Sequence, residues 1–357
     1  MCREVCGERQ LVFRRCDCLG SGFVGSGLLQ CKIARRVKRA TALLATFCKV
    51  KDGTRSFYEA LVRSALERVV DGLDEPLDLA TLARAAALSP LHFHRVFRGM
   101  IGETPLELQR RLRLERAAEQ LGQSSVSITN IAFQAGYETH ESFTRAFRQA
   151  YACSPSEFRS RASLASSGCA RPPAAELGAR SGVHFNTRFE LERVLTLSTG
   201  GEAMHVQIQE RPALRVAAVA HLGPYNTIST AFERLGAVAG PAGLLAQPGV
   251  AMVGIYHDDP ESKPAAELRS EAALVVPESA HIPGELSELR IPAGRYAKTT
   301  HVGPYAQLGD TWARLMGEWL PSSGQRVGQG VSYEIYVNDP GSAAPSELRT
   351  ELYLSLQ

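Results

Sequence analysis

Two short runs of the sequence set phenylalanine and arginine in the same order. Residues 93–98 read FHRVFR and residues 143–148 read FTRAFR. On a helix, Phe93 and Phe97 share one face, as do Phe143 and Phe147, and such pairs pack inward. His94, Arg95 and Arg98 then fall on other faces of the first run, and Thr144, Arg145 and Arg148 on other faces of the second. An exposed Arg or His on a short helix can enter the major groove of DNA. A helical bundle whose arginines merely solvate a face is the alternative. A third constellation is Tyr333-Glu334-Ile335-Tyr336. One acid among aromatic rings is how a protein holds an apolar cation, by charge and by cation–π attraction. A glutamate on an exposed edge strand would look the same. His221 and His301 have no carboxylate or cysteine at ligand spacing, so they read as strand-end packing and hydrogen-bonding residues. Six of the eight cysteines lie before residue 50, without repeated C-x-x-C and with no export signal for disulfides. No metal, cofactor or catalytic residue is therefore assigned.

The elements that must position these residues differ between the two halves. Over 56–161 the apolar residues fall at helical spacing. A first helix is expected over 55–71. Asp78, Ser89-Pro90, Thr104-Pro105, Ser127, Thr139 and Ser154-Pro155 are start signals for six more. These compose two helix-turn-helix units, LATLARAAALSPLHFHRVFRGMIGETP and SITNIAFQAGYETHESFTRAFRQAYACSP, with Gly136 suited to a left-handed turn. Residues 162–202 are rich in Ala, Ser, Gly and Pro and read as a linker, with one short helix near 188–196. Residues 1–55 read as a basic, Cys-rich tail, either disordered or the product of a mis-set translation start near Val50.

From 203 to 357 a repeat appears at an offset of 80. PALRVAAVAHLGPY (212–225) returns as PAGRYAKTTHVGPY (292–305), GIYHDDP (254–260) as EIYVNDP (334–340), and ELRSE (267–271) as ELRTE (347–351); 21 of 65 ungapped positions are identical. Each copy reads strand, helix, strand, strand. The expected fold class is multidomain: an all-α paired helix-turn-helix domain (56–161) and an α+β domain (203–357) made of a duplicated β-α-β-β unit. Two copies give two equal sites unless they diverge. Divergence is found at Gly254 against Glu334 and at Phe232 against Trp312. Tyr225 and Tyr305 follow Gly-Pro in both copies and are read as lining a site. Trp319, opposite Ala239, reads as core. Glu271 and Glu351 occur in both copies, which suggests pairing with Arg269, Arg349, Arg215 or Arg295.

Charge narrows the partners. Residues 56–161 hold 13 basic and 13 acidic side chains, so net charge does not speak for DNA there. Residues 203–357 hold 11 against 16, which suits a cation better than an anion or nucleic acid. No apolar run approaches the ~18 residues of a membrane span, and no signal peptide is visible, so a cytoplasmic protein without a membrane partner is expected.

Residues 57–161 resemble the DNA-binding domain of the AraC/XylS family. The resemblance rests on Ser127-Ile128, Ile131-Ala132, Gly136-Tyr137, Ser142-Phe143, Arg145, Phe147, Ser154-Pro155 and Phe158-Arg159. Tyr137 stands where that family usually has Phe. Ala152 stands where it has Gly, which makes the backbone at that turn a point to examine. The resemblance implies two recognition helices joined by a rigid helix, here about 104–121, entering successive major grooves of double-stranded DNA. It implies base-facing Leu91, His94 and Arg95 in the first helix and His140, Glu141, Thr144 and Arg145 in the second. Phosphate contacts would come from Arg98 and Arg148. RNA polymerase is a further partner expected of such a regulator. Residues 203–357 resemble the GyrI-like small-molecule-binding domain, which implies two copies about a pseudo-dyad with a ligand cleft between them. Glu334, Tyr336, Tyr305, Tyr225, Trp312, Phe232 and Gly254 are the expected ligand residues, and a cationic lipophilic small molecule the expected effector. Some GyrI-like domains resemble hydrolases, in which Glu334 with Tyr305 would serve as base and acid. A protein-interaction module is the third reading.

Overall fold

The computed structural model describes residues 53–165, 176–179, 181–185 and 204–357. Residues 1–52 and the helix expected near 188–196 lie outside the described residues.

Among the described residues of the first half there are seven helices: α1 (53–71), α2 (Leu79–Ala85), α3 (Pro90–Ile101), α4 (Pro105–Gln123), α5 (Ile128–Gln134), α6 (His140–Tyr151) and α7 (Pro155–Ala165). Their starts follow from local chemistry. Asp78, Ser89, Ser127 and Thr139 each accept a hydrogen bond from a backbone N–H in the first turn, which satisfies a donor the helix itself leaves open. Thr104 and Glu107 bond reciprocally at the head of α4, with Pro105 at the first helical position. Gly102 and Gly136 take left-handed conformations where α3 ends and α5 turns. Ala152 does the same after α6, at φ 55° and ψ 17°.

The helices bury two separate cores. The second helix-turn-helix closes on itself, with Leu114, Ala118 and Leu121 of α4 against Ile131, Ala132, Phe143, Phe147 and Phe158. The first does not. Phe93, Val96, Phe97 and Met100 share one core with Leu308, Trp312, Leu315, Met316, Leu352 and Leu354 of the second half.

The second half is one eight-stranded antiparallel sheet: β1 (Gln207–Arg211), β2 (Leu214–Leu222), β3 (Met252–Tyr256), β4 (Arg269–Val275), β5 (Ser287–Ile291), β6 (Gly294–Val302), β7 (Tyr333–Tyr336) and β8 (Arg349–Ser355). Helix α8 (Ser229–Ala239) follows β2. At the equivalent place after β6, α9 (Leu308–Arg314) runs into a π-helical turn, Leu315–Trp319, and then α10 (Leu320–Ser323). The strand order β1-β6-β8-β7-β3-β4-β2-β5 reads the same from both ends once each strand is exchanged for its repeat mate. Each unit also has one strand more than the repeat suggested. β1 and β5 precede the β-α-β-β pattern and pair across the repeat, β1 on β6 and β5 on β2. The two halves therefore share one set of backbone hydrogen bonds.

The seam is β3 on β7, where Gly254 is the direct cross-strand partner of Glu334. Because side chains alternate along a strand, Glu334 and Tyr336 face the helices while Tyr333 and Ile335 face the opposite core. Of the residues that flank the acid in sequence, only Tyr336 therefore shares its face; Tyr333 stacks on Tyr353, with ring centroids 4.8 Å apart. The arginine partners expected for the repeated glutamates are corrected. Glu351 pairs with Lys298 at 2.5 Å and Glu271 with His257, because Arg269 is taken by Asp258 and Arg215 by Glu288. Trp319 is half-buried against the shared core, as expected of it. No helix among the described residues is long and apolar enough to cross a membrane.

Candidate functional site

A cleft of about 1060 Å³ lies over the β3/β7 seam, between α8 and α9. Its polar centre is Glu334, only 2% exposed. The Trp312 Nε1–H donates to Glu334 Oε1 at 2.6 Å, and the Tyr336 hydroxyl donates to Oε2 at 3.0 Å. The Tyr256 hydroxyl stands 2.9 Å from that of Tyr336. Gly254 makes this chain of hydroxyls possible, since a Cβ there would sit 2.7 Å from the Tyr336 hydroxyl oxygen. Rings complete the walls: Phe232 and Tyr305 meet Tyr336 edge-on at 5.4 and 5.3 Å, and Tyr225 meets Tyr256 at 4.9 Å. Burial raises the Glu334 carboxyl above its usual range, opposed by the Trp312 hydrogen bond, the charge of Arg95 and the Tyr336 hydrogen bond. The carboxylate is held by neutral donors and is itself almost wholly buried. Such a site attracts a cation with an apolar body.

Six of the seven expected ligand residues, Glu334, Tyr336, Tyr305, Tyr225, Trp312 and Phe232, line this cleft. Gly254 lies behind it, acting through the space it leaves. Tyr305 meets the ring of Tyr336, while both hydrogen bonds to the Glu334 carboxylate come from Trp312 and Tyr336. Tyr256 was missed, although its place in the repeated G-I-Y and E-I-Y triplets marks it as the mate of Tyr336. His221 and His301 make hydrogen bonds at the strand ends, His221 to Ser270 and Thr227, His301 to Thr311 and the Pro304 carbonyl.

The largest departure from expectation concerns α3. Leu91, His94, Arg95 and Arg98 were expected on an exposed surface, and they line the same cleft. Arg95 lays its guanidinium over the Trp312 ring, with Cζ 4.0 Å from the centroid. Burial pulls the Arg95 pKa down to about 10, and the charge of Glu334 is the first of the groups that oppose the shift. His94 is buried, with ring nitrogens 3.6 Å from Asp259 and 3.5 Å from Glu261. Arg98 pairs with Asp310 at 2.7 Å. The physical reason is close apposition of backbones. A Cβ on Gly99 would lie 2.0 Å from the Ala313 carbonyl oxygen, and one on Gly317 would lie 2.1 Å from the Gly99 carbonyl carbon. Two glycines facing each other let α3 press on the π turn, and that face of α3 is covered.

Helix α6 is different. Glu141, Arg145 and Arg148 are exposed, and His140 and Thr144 are half-buried, with Thr144 Oγ1 3.4 Å from His140 Nε2. Phe143 and Phe147 are fully buried beneath them. The amphipathic division read from the sequence is therefore open on α6 and capped on α3.

A model of the GyrI-like small-molecule-binding domain matches residues 204–357, and one of a helix-turn-helix domain matches residues 82–161. The chain is 33% identical over 141 residues to a DNA gyrase inhibitor of Yersinia enterocolitica, covering 38% of this chain and 88% of that protein. It is 30% identical over 156 residues to a DNA gyrase inhibitor of Erwinia billingiae, covering 42% and 96%. It is 29% identical over 104 residues to the regulatory protein SoxS of Salmonella typhimurium, covering 29% and 97%. With the paired helix-turn-helix and the duplicated sheet described above, the chain belongs to the AraC-type DNA-binding regulators that carry a GyrI-like small-molecule-binding domain.

Proposed function

We propose that the chain controls transcription in response to a small lipophilic cation bound over Glu334. The observation that carries this reading is a buried carboxylate with only neutral hydrogen-bond donors, set in an aromatic cleft. Glu334 supplies the charge, Tyr336 and Trp312 hold it, and Phe232, Tyr305 and Tyr225 supply apolar walls. His140, Glu141, Thr144 and Arg145 of α6 read bases, with Arg148 on phosphate; Leu91, His94, Arg95 and Arg98 of α3 do the same in the adjacent groove when uncovered. A DNA partner favours the cytoplasm, with RNA polymerase as the machine on which the chain acts. Calorimetric titration of the full chain with tetraphenylphosphonium tests the ligand class. One saturable site, weakened tenfold or more by Glu334→Gln, is expected. Equal binding by that variant, or none by the wild type, would remove the cation reading.

A second reading, that residues 204–357 engage a protein, is favoured by the likeness to the two gyrase inhibitors. It predicts inhibition of gyrase supercoiling by the purified chain that persists in Glu334→Gln.

A further inference from the structure

We infer that Arg95 is the resident occupant of the cleft, a built-in cation that adds to the Gly99–Gly317 contact and the shared core in masking the DNA-facing side of α3, and whose eviction loosens that cover. The inference rests on the reading of that cleft as a cation site.

Arg95 uses the cleft as a lipophilic cation would. Its guanidinium is planar and weakly hydrated, and it lies on Trp312, the ring whose N–H holds Glu334. Its neighbours on the same face meet acids of the same domain: His94 between Asp259 and Glu261, Arg98 on Asp310. Three side chains that the helix-turn-helix arrangement would offer to phosphates and bases are thus offered to carboxylates. The excess of acidic residues over 203–357 acquires a location in this way. Asp259 is fully buried, and one of its carboxylate oxygens has no hydrogen-bond partner, as does Glu261 Oε2. Asp259 Oδ1 takes the backbone N–H of Glu261, and both acids lie within 3.6 Å of the His94 ring of α3.

A bound cation and Arg95 draw on the charge of one carboxylate, with which Arg95 makes no ion pair, and on the face of one ring. Binding of the cation therefore favours departure of Arg95, and departure of Arg95 favours α3 on DNA. By linkage, DNA must tighten the cation by the same factor that the cation tightens DNA. Couplings of this kind lie at about 5–150-fold. Helix α6 carries no comparable cover, so it serves as the internal control.

The test uses the full chain and amide hydrogen exchange of the segments 90–101 and 140–151. Arg95→Ala, and Arg95→Met, which keeps the length of the side chain without its charge, are compared with the wild type. In the absence of ligand, both variants are expected to exchange faster over 90–101 and unchanged over 140–151. Both are expected to bind tetraphenylphosphonium about tenfold tighter than the wild type, within the coupling range above. Faster exchange in the variants with no tetraphenylphosphonium binding by any of the three proteins would support the latch and remove the cation reading of the cleft. Unchanged exchange over 90–101 in both variants would overturn the latch. So would equal tetraphenylphosphonium affinity in wild type and variants, because the cleft would then hold ligand and Arg95 side by side.

Discussion

At the residue scale, Ala152 occupies the left-handed region where a Cβ crowds the following carbonyl. That conformation costs an L-residue about 1–2 kcal/mol, part of which glycine would lose again through its freer unfolded chain. Ala152→Gly is expected to raise stability to urea by about 0.5–1 kcal/mol; a loss would show that the methyl group packs usefully at this turn. Glu334 gives a second expectation. Burial raises its carboxyl pKa against the opposing Trp312 hydrogen bond and Arg95 charge, so without ligand the proton is retained at a pH where an exposed glutamate is already ionised. The ionised form attracts the cation. Tetraphenylphosphonium affinity should therefore fall with decreasing pH through a range above that of ordinary glutamates, and a flat profile there would mean that charge does not bind the ligand. Divergence between the copies marked Glu334, Gly254, Phe232 and Trp312 in the sequence, because a repeat exposes its own exceptions. Arg95 carried no such mark. Its partner Trp312 is remote in sequence, and its F-x-R-x-F setting is equally good for DNA and for a cleft.

At the scale of elements, α3 and the π turn meet through Gly99 and Gly317. Replacing a helical glycine by alanine ordinarily gains about 1 kcal/mol. Here the added methyl would meet backbone at 2.0–2.1 Å, which must shift, so Gly317→Ala should cost about 1–3 kcal/mol in thermal or urea unfolding. A gain would show that α3 does not rest on the π turn. On α6, Arg145→Ala should cost about 1–3 kcal/mol on an operator selected from random DNA, and should relax one base position. Uniform loss on every sequence would reduce Arg145 to a phosphate contact. The helix starts were legible because a capping Ser, Thr or Asp announces itself within one turn. β1 and β5 were not. Residues 207–211 and 287–291 share no identical position, and they are the outermost strands, held by backbone bonds to the opposite repeat. Sequence patterning reports side-chain burial, and an edge strand has little of it.

At the scale of the whole molecule, one helix-turn-helix shares its core with residues 204–357 and the other closes on a core of its own. The ligand-free chain should accordingly protect DNA over the groove read by α6, and a bound lipophilic cation should lengthen that footprint by about one helical turn, ~10 bp. A footprint of full length without ligand would separate the cover on α3 from DNA reading. The seam of the sheet has one more consequence. Gly254 and Glu334 face each other across the pseudo-dyad, so whatever residue stands at one position stands directly opposite its own counterpart. Two identical copies would set two carboxylates, or two voids, in contact across the strands, and like charges so placed repel. Joining the copies in one chain lets them differ there. An expected valency follows: one carboxylate on the axis, and for the cation proposed above one equivalent for each chain, which the same calorimetric titration would read.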